Sequence, residues 1–193
     1  MEASSRQAAP GELEVVRQFL NTRDVEEGTD EISTPEALRT WLAAHDLDTR
    51  GTRATRKDVR SAELMRESLR AMTLSNNGER LDARAIKDLN ALAEEMHLVV
   101  RFDGRGASEL EPAGRGLDAA LGALLAVVFR AMESGTWQRL KACREDTCQW
   151  AFYDRSKNRS GTWCSMAVCG NRAKARAYRG RRSGSQKPAS KGV

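Results

Sequence analysis

Four cysteines near the C-terminal end are the side chains best suited to chemistry in this 193-residue chain. Cys143 and Cys148 are separated by four residues, Cys164 and Cys169 repeat that spacing, and 15 residues lie between the pairs. Each pair can wrap one edge of a tetrahedral ion, and four thiolates leave no coordination position for water. The pattern therefore predicts one structural Zn²⁺. Two disulfides or four free thiols are the alternative.

Basic side chains surround these cysteines. Residues 139–193 contain 14 Lys and Arg against three acidic residues, a net charge of +11, whereas residues 1–138 hold 18 basic and 24 acidic side chains, a net charge of −6. A basic segment joined to an acidic one favours a polyanionic partner, and we expect double-stranded DNA. RNA or single-stranded DNA stacked on the local aromatic residues is one alternative. Charges that serve only solubility are another.

Two elements of the basic segment are candidates for DNA contact. A helix is predicted over residues 171–182, and Arg172, Arg176 and Arg179 share one of its faces at four- and three-residue steps. A hairpin with strands at 149–154 and 161–165 is predicted between the cysteine pairs, with a basic tip suited to phosphates. The predicted contact residues are Arg155, Lys157, Asn158, Arg159, Asn171, Arg172, Lys174, Arg176, Arg179, Arg181 and Arg182.

The sequence WCSMAVCGNRAKAR at residues 163–176 resembles the signature of the CGNR-type zinc finger family. The resemblance covers about residues 140–180 and includes both cysteine pairs. Upstream, the sequence FLNT at residues 19–22 and the helical layout resemble the ABATE domain that precedes this finger in the family. The resemblance implies a stress-induced transcription regulator, in which the finger contacts DNA and the N-terminal domain has a regulatory role.

Three polar residues are candidates for an effector site in the N-terminal domain: Asn21, Arg23 and Arg66. The alternative for each is a helix cap or a surface side chain. A ligand-binding or enzymatic N-terminal domain, with a finger that docks protein or RNA, is the rival function. The sequence contains neither a phosphate-binding loop nor a nucleophile elbow, and its two histidines show no metal or catalytic spacing. We therefore expect a regulator and not an enzyme.

Apolar spacing predicts a mainly α (α+β) fold, in which a helical domain with one small hairpin precedes a zinc-stabilised hairpin and helix. Helices are predicted at 13–20, 35–45, 55–73, after Asp82 and at 117–133, and a hairpin at 97–103 and 109–111. We expect a disordered N-terminus (1–11), an ABATE-like domain (12–140), the finger (141–182) and a disordered basic tail (183–193). Because no flexible linker marks the boundary near residue 140, the two parts should pack closely.

The sequence also bears on location and partners. Its longest apolar stretch, at residues 119–129, is about half of the roughly 20 residues that cross a bilayer. No signal-peptide pattern stands at the N-terminus. We therefore expect a cytoplasmic protein without a membrane partner. The sequence also allows two further partners: a small-molecule effector of the N-terminal domain, and a second copy of the chain in a homodimer.

Overall fold

The structure is a computed structural model that describes residues 8–47, 49 and 51–184, with the backbone alone for 181–184. The sequence predictions for residues 1–7 and 185–193, which belong to the two ends expected to be disordered, lie outside the described residues. So do the side chains of Arg181 and Arg182.

The described residues form six α-helices and three small antiparallel sheets, each of two strands. The helices are α1 (Leu13–Leu20), α2 (Pro35–Ala44), α3 (Arg56–Asn76), α4 (Ala83–Glu95), α5 (Gly116–Glu133) and α6 (Asn171–Gly184). The paired strands are β1 (Arg23–Asp24) with β2 (Thr29–Asp30), β3 (Leu98–Phe102) with β4 (Ser108–Pro112), and β5 (Leu140–Ala142) with β6 (Ala151–Tyr153). The mainly helical fold is thus confirmed. Within the described part of the chain, no helix could span a membrane.

Local capping explains where three of the helices begin. The Thr34 side chain accepts a hydrogen bond from the N–H of Ala37, and Asp82 caps α4 in the same way. Thr55 and Asp58 cap each other reciprocally at the start of α3. These bonds satisfy N–H groups that have no partner within the helix. All three helices begin where the sequence predicted.

Helix α5 forms the centre of the apolar core. Leu121 and Leu124 are fully buried, together with Leu20 of α1 and Leu69 of α3. The β3–β4 hairpin packs on α5 at Gly122, where an added Cβ would lie 3.0 Å from the Cβ of Pro112. Glycine at this position therefore allows the hairpin to approach the central helix closely.

The first half of the finger belongs to the same core as the N-terminal helices. Leu140, Ala151 and Tyr153 of β5 and β6 are buried in that cluster. A β-pair of six residues has too little apolar surface to stand alone. The strand pair is consequently built onto the helical part of the chain.

Hydrogen bonds from α3 and the end of α1 fix this strand pair. Asn21 Nδ2 donates to the carbonyl oxygen of Ala151 (2.9 Å), and Asn21 Oδ1 accepts from the N–H of Ala151 (2.7 Å). Arg70 donates to the carbonyl oxygen of Gln149 (2.8 Å). Asn77 Nδ2 donates to two carbonyl oxygens of the finger, each at 2.8 Å. The two parts of the chain are therefore packed closely against each other.

The predicted hairpin between the cysteine pairs is wrong in its pairing. β6 pairs with β5, which precedes Cys143, and residues 161–165 form no strand. The chain turns back within the first cysteine pair, so the segments on either side of that pair become neighbours. The loop that follows is organised by Asp154, whose carboxylate accepts from the N–H groups of Ser156 (2.9 Å) and Gly161 (2.8 Å).

Candidate metal centre and basic surface

The first cysteine pair lies in the turn that joins β5 to β6. The N–H of Cys143 donates to the carbonyl oxygen of Trp150 (3.0 Å), and the N–H of Cys148 donates to that of Glu145 (2.8 Å). Gln149 has a φ of 51°, in the left-handed region, and directs the chain out of the turn into β6. The strand pair therefore fixes the positions of both thiols.

The second cysteine pair lies in a tight turn before α6. The side chain of Ser165 accepts from the N–H of Val168 (3.3 Å), and a π-helical turn covers Met166–Gly170. A Cβ on Gly170 would lie 2.6 Å from the Met166 sulfur and 3.2 Å from the Trp163 ring. A larger residue at this position would require the exposed Met166 side chain to move, and α6 begins immediately after Gly170.

The two turns bring the four thiols together. Their sulfur atoms all lie within 4.8 Å of one another, with 3.6 Å between those of Cys148 and Cys164 and 3.7 Å between those of Cys164 and Cys169. A tetrahedron with metal–sulfur bonds of about 2.3 Å has edges of about 3.8 Å. The cysteines are unbridged, and Cys143, Cys148 and Cys169 are buried. The cluster predicted from spacing could therefore hold a metal ion.

Hydrogen bonds among these thiols shift their pKa values in opposite directions. Hydrogen bonds from the thiols of Cys148 and Cys164 lower the pKa of Cys143 to about 2, and the bond to Cys143 raises the pKa of Cys148 to about 12. The bond to Cys143 likewise raises the pKa of Cys164, and burial raises the pKa of Cys169. The four thiols therefore interact directly with one another. A divalent cation would stabilise all four as thiolates, because a coordinating thiol is deprotonated.

Helix α6 directs two of its predicted DNA contacts toward acidic residues of the same chain. Arg172 Nη2 lies 2.6 Å from the carboxylate of Glu26, in the turn between β1 and β2. Arg176 forms two hydrogen bonds, of 2.8 and 2.6 Å, with Glu145, which is only 3% exposed. Arg176 therefore joins α6 to the turn that carries the first cysteine pair.

The other predicted DNA contacts lie on the surface or beside it. Arg155 donates to the carbonyl oxygen of Ala8 and lies over the Tyr153 ring at 5.6 Å. The Asn171 side chain donates to the carbonyl oxygen of Ala167 (3.0 Å). The remaining described candidates are exposed: Lys157, Asn158, Arg159, Lys174 and Arg179.

A buried ion pair between Lys141 and Asp154 organises the basic loop, residues 155–160. The sequence alone did not predict this pair. Lys141 Nζ donates to Asp154 Oδ2 (2.8 Å) and to the carbonyl oxygens of Arg159 (2.6 Å) and Gly161 (3.0 Å). Burial by itself would raise the pKa of Asp154, but hydrogen bonds from Lys141, Ser156 and Gly161 outweigh it and lower that pKa to about 2. A charged residue in the short apolar strand LKA was the one available signal.

The three candidate effector contacts are held by the chain itself. Arg66 is 1% exposed and forms two bonds with Asp30, of 2.8 and 2.7 Å. Asn21 binds β6, and Arg23 lies 3.6 Å from Glu67 at the surface. A cavity of about 1000 Å³ lies elsewhere, at the start of α2. Arg23 and Arg66 therefore meet at Glu67, at 3.6 and 2.9 Å, whereas Asn21 is directed toward β6.

Comparison with known families agrees with both resemblances seen in the sequence. The CGNR zinc finger model matches residues 139–182, which contain all four cysteines. The ABATE model, whose description is "Putative stress-induced transcription regulator", matches residues 13–134. No curated protein matches the chain. The ABATE match covers more than half of the sequence, and the chain therefore belongs to the ABATE family and carries a CGNR zinc finger.

Proposed function

We propose that this chain is a zinc-containing transcription regulator that binds duplex DNA through its finger, with an N-terminal domain that senses an effector. The observation that carries the proposal is the arrangement of charge around the cysteine cluster. That cluster lies within residues 139–193, which have a net charge of +11 and follow residues 1–138 with a net charge of −6. We assign the chain no catalytic step.

Zinc is the metal that best suits this donor set. Structural zinc sites with four thiolates are tetrahedral, and the sulfur separations of 3.6 and 3.7 Å fit that geometry. Cys143, Cys148, Cys164 and Cys169 would hold the ion. Its role would be to join the β5–β6 turn to the start of α6, which positions the basic helix on the strand pair.

The two arginines that meet acidic residues differ in the role we assign to them. Both partners in the Arg172–Glu26 pair are more than 40% exposed, and such pairs add little net stability. A DNA phosphate could therefore replace Glu26. Glu145 is buried, so removing Arg176 would leave a buried carboxylate without its cation. We assign Arg176 to the support of the finger and Arg172 to DNA contact.

A regulatory role for the N-terminal domain rests on its bonds to the finger. Asn21 at the end of α1 and Arg70 in α3 hold the segment Gln149–Ala151, directly after the first cysteine pair. An effector that displaced either helix would therefore disturb the finger.

The salt dependence of duplex DNA binding tests the proposed interface. The logarithm of the binding constant falls linearly with the logarithm of salt concentration, with a slope of about −0.9 for each phosphate contact. Two double variants remove exposed charges: Lys174→Ala with Arg179→Ala in α6, and Lys157→Gln with Arg159→Asn in the loop. Asparagine suits the Arg159 backbone, which has a φ of 53°. Each double variant should flatten the slope by about two units.

The matched control removes two exposed basic side chains from the acidic part of the chain. Lys57 and Arg84 are 71% and 88% exposed, and changing both to alanine should leave the slope unchanged. Fluorescence anisotropy with a labelled duplex provides the measurement. Wild-type affinity of both finger variants at every salt concentration would refute the proposed interface. Tighter binding to single-stranded RNA than to duplex DNA would reassign the partner.

A further inference from the structure

The β3–β4 hairpin carries an apolar stripe that runs from the core into solvent. Leu98, Val100 and Phe102 lie on one face of β3, since side chains alternate along a strand. Leu98 packs at the inner end, 3.4 Å from the position of a Cβ on Gly122. Val100 and Phe102 are 59% and 74% exposed. The outer half of β3 therefore presents two large apolar side chains to solvent.

The same three residues provide the outer backbone edge of β3. The residue pairs just beyond both ends of the strand pairing are hydrogen-bonded: Ala113 N–H donates to His97 C=O, and Asp103 N–H donates to Ala107 C=O. Hydrogen-bonded and non-hydrogen-bonded pairs of opposite residues alternate along two antiparallel strands. The N–H and C=O groups of Leu98, Val100 and Phe102 therefore point away from β4. No third strand pairs with this edge in the described part of the chain.

The opposite edge, on β4, is protected against strand pairing. By the same alternation, the outward backbone groups of β4 belong to Ser108, Leu110 and Pro112, and Pro112 has no N–H to donate. Glu109 and Glu111 add two negative charges to that strand. Proline and charged residues are the usual means of blocking an edge strand. The β3 edge has no proline and a single charged residue, Arg101.

We infer that β3 is the edge through which two copies of this chain associate, in a four-stranded antiparallel sheet with its two-fold axis at Val100. In this register Val100 lies opposite the partner's Val100, and Leu98 lies opposite the partner's Phe102. Both outward groups of each of these residues then gain a partner. The exposed apolar stripe becomes continuous across the interface.

Charge favours a second copy at the β3 edge over one at the β4 edge. Pairing at β3 places Arg101 opposite the partner's Val99, so no like charges meet. Pairing of β4 with itself around Leu110 would place Glu109 opposite the partner's Glu111 twice, and like charges directly opposite each other are destabilising. A five-residue edge is small beside a stable interface of about 800 Å² per partner, so the dimer should be weak and dependent on concentration.

A charge-exchange experiment tests both the edge and its register. Sedimentation velocity would be measured on full-length, zinc-loaded chain freed of nucleic acid, from about 1 to about 300 µM, a range suited to a weak complex. The sedimentation coefficient of the wild type should rise with protein concentration over this range, because the fraction of dimer increases. Val100→Glu and Val100→Lys should each be monomeric, because two like charges meet at the axis. An equimolar mixture of the two variants should associate again.

Ser108→Glu is the matched control, because it adds a charge to the same hairpin on the outer strand. This variant should dimerise as the wild type does. Unchanged melting curves would show that the variants are folded. A wild-type chain that stays monomeric throughout overturns the inference and leaves the edge to a strand from another protein. Failure of the mixed Val100 variants to associate, or dimerisation by either variant alone, also overturns it.

Discussion

Changing Cys164 to serine is expected to remove stoichiometric zinc from the chain and unfold the segment from about residue 162 to the end of α6. A serine hydroxyl does not ionise to replace a thiolate ligand, and metal binding supplies about 10–16 kcal/mol in structural zinc fingers. Apart from the ion pairs of Arg172 and Arg176, the apolar contacts of this segment are few, because its cluster contains the cysteines and two partly buried tryptophans, Trp150 and Trp163. The β5–β6 pair should survive, because it belongs to the core of the helical part.

Metal analysis and far-UV circular dichroism measure the two effects of Cys164→Ser. The variant should contain less than one zinc per chain and lose the helical signal of α6. Val168→Ser is the control, because Val168 is in the same turn, is 46% exposed and retains the N–H that bonds to Ser165. This control should bind zinc as the wild type does. One full equivalent of zinc in purified, reduced Cys164→Ser would contradict the assigned ligand set.

Changing Lys141 to methionine should lower the free energy of unfolding by about 3 kcal/mol, because removal of one partner leaves a buried charge uncompensated. Lys141 and Asp154 have side chains only 5% and 3% exposed. Urea unfolding at saturating zinc gives the free energy. Lys57→Met is the matched control, because Lys57 is 71% exposed in its pair with Glu95 and should change stability little. Equal stability of the two variants would contradict the structural role of Lys141.

The loss caused by Lys141→Met should depend on pH. The folded-state pKa of Asp154 is lowered from 3.8 to about 2, so its ionised form stabilises the wild type above pH 3.8 and that contribution is lost as pH falls through about 2. Without Lys141, burial is opposed by fewer hydrogen bonds and the pKa of Asp154 should rise. The stability difference between variant and wild type should therefore narrow as pH falls below the pKa of Asp154 in the variant toward about 2, because a protonated Asp154 needs no cation. A difference that stays constant with pH would contradict this assignment.

Local patterns allowed much of the fold and the cysteine cluster to be predicted. Helix starts at Thr34, Thr55 and Asp82 depend on side chains within three residues of the N–H groups that they cap. The cysteine pairs are recognisable because a tetrahedral ion requires two ligands from each short turn. In both cases the interacting groups are close in sequence, so spacing alone carries the information.

Contacts between distant segments could not be predicted in the same way. Asn21 and Ala151 are 130 residues apart, and β5 and β6 have three residues each, too few to show an alternating pattern. The spacing of the arginines in α6 predicts that they share one face of the helix. Which of them face the protein depends on Glu26 and Glu145, whose positions are set by other elements.

Selection from a pool of genomic duplex fragments tests the central claim most directly. Zinc-loaded, full-length chain would be incubated with the pool at a salt concentration near the physiological range, and the retained fragments would be sequenced. We predict enrichment of a small set of duplex fragments that share a sequence, with no enrichment by Cys164→Ser. Recovery of fragments in proportion to the input pool, or equal enrichment by Cys164→Ser, would contradict a zinc-dependent, DNA-binding regulator.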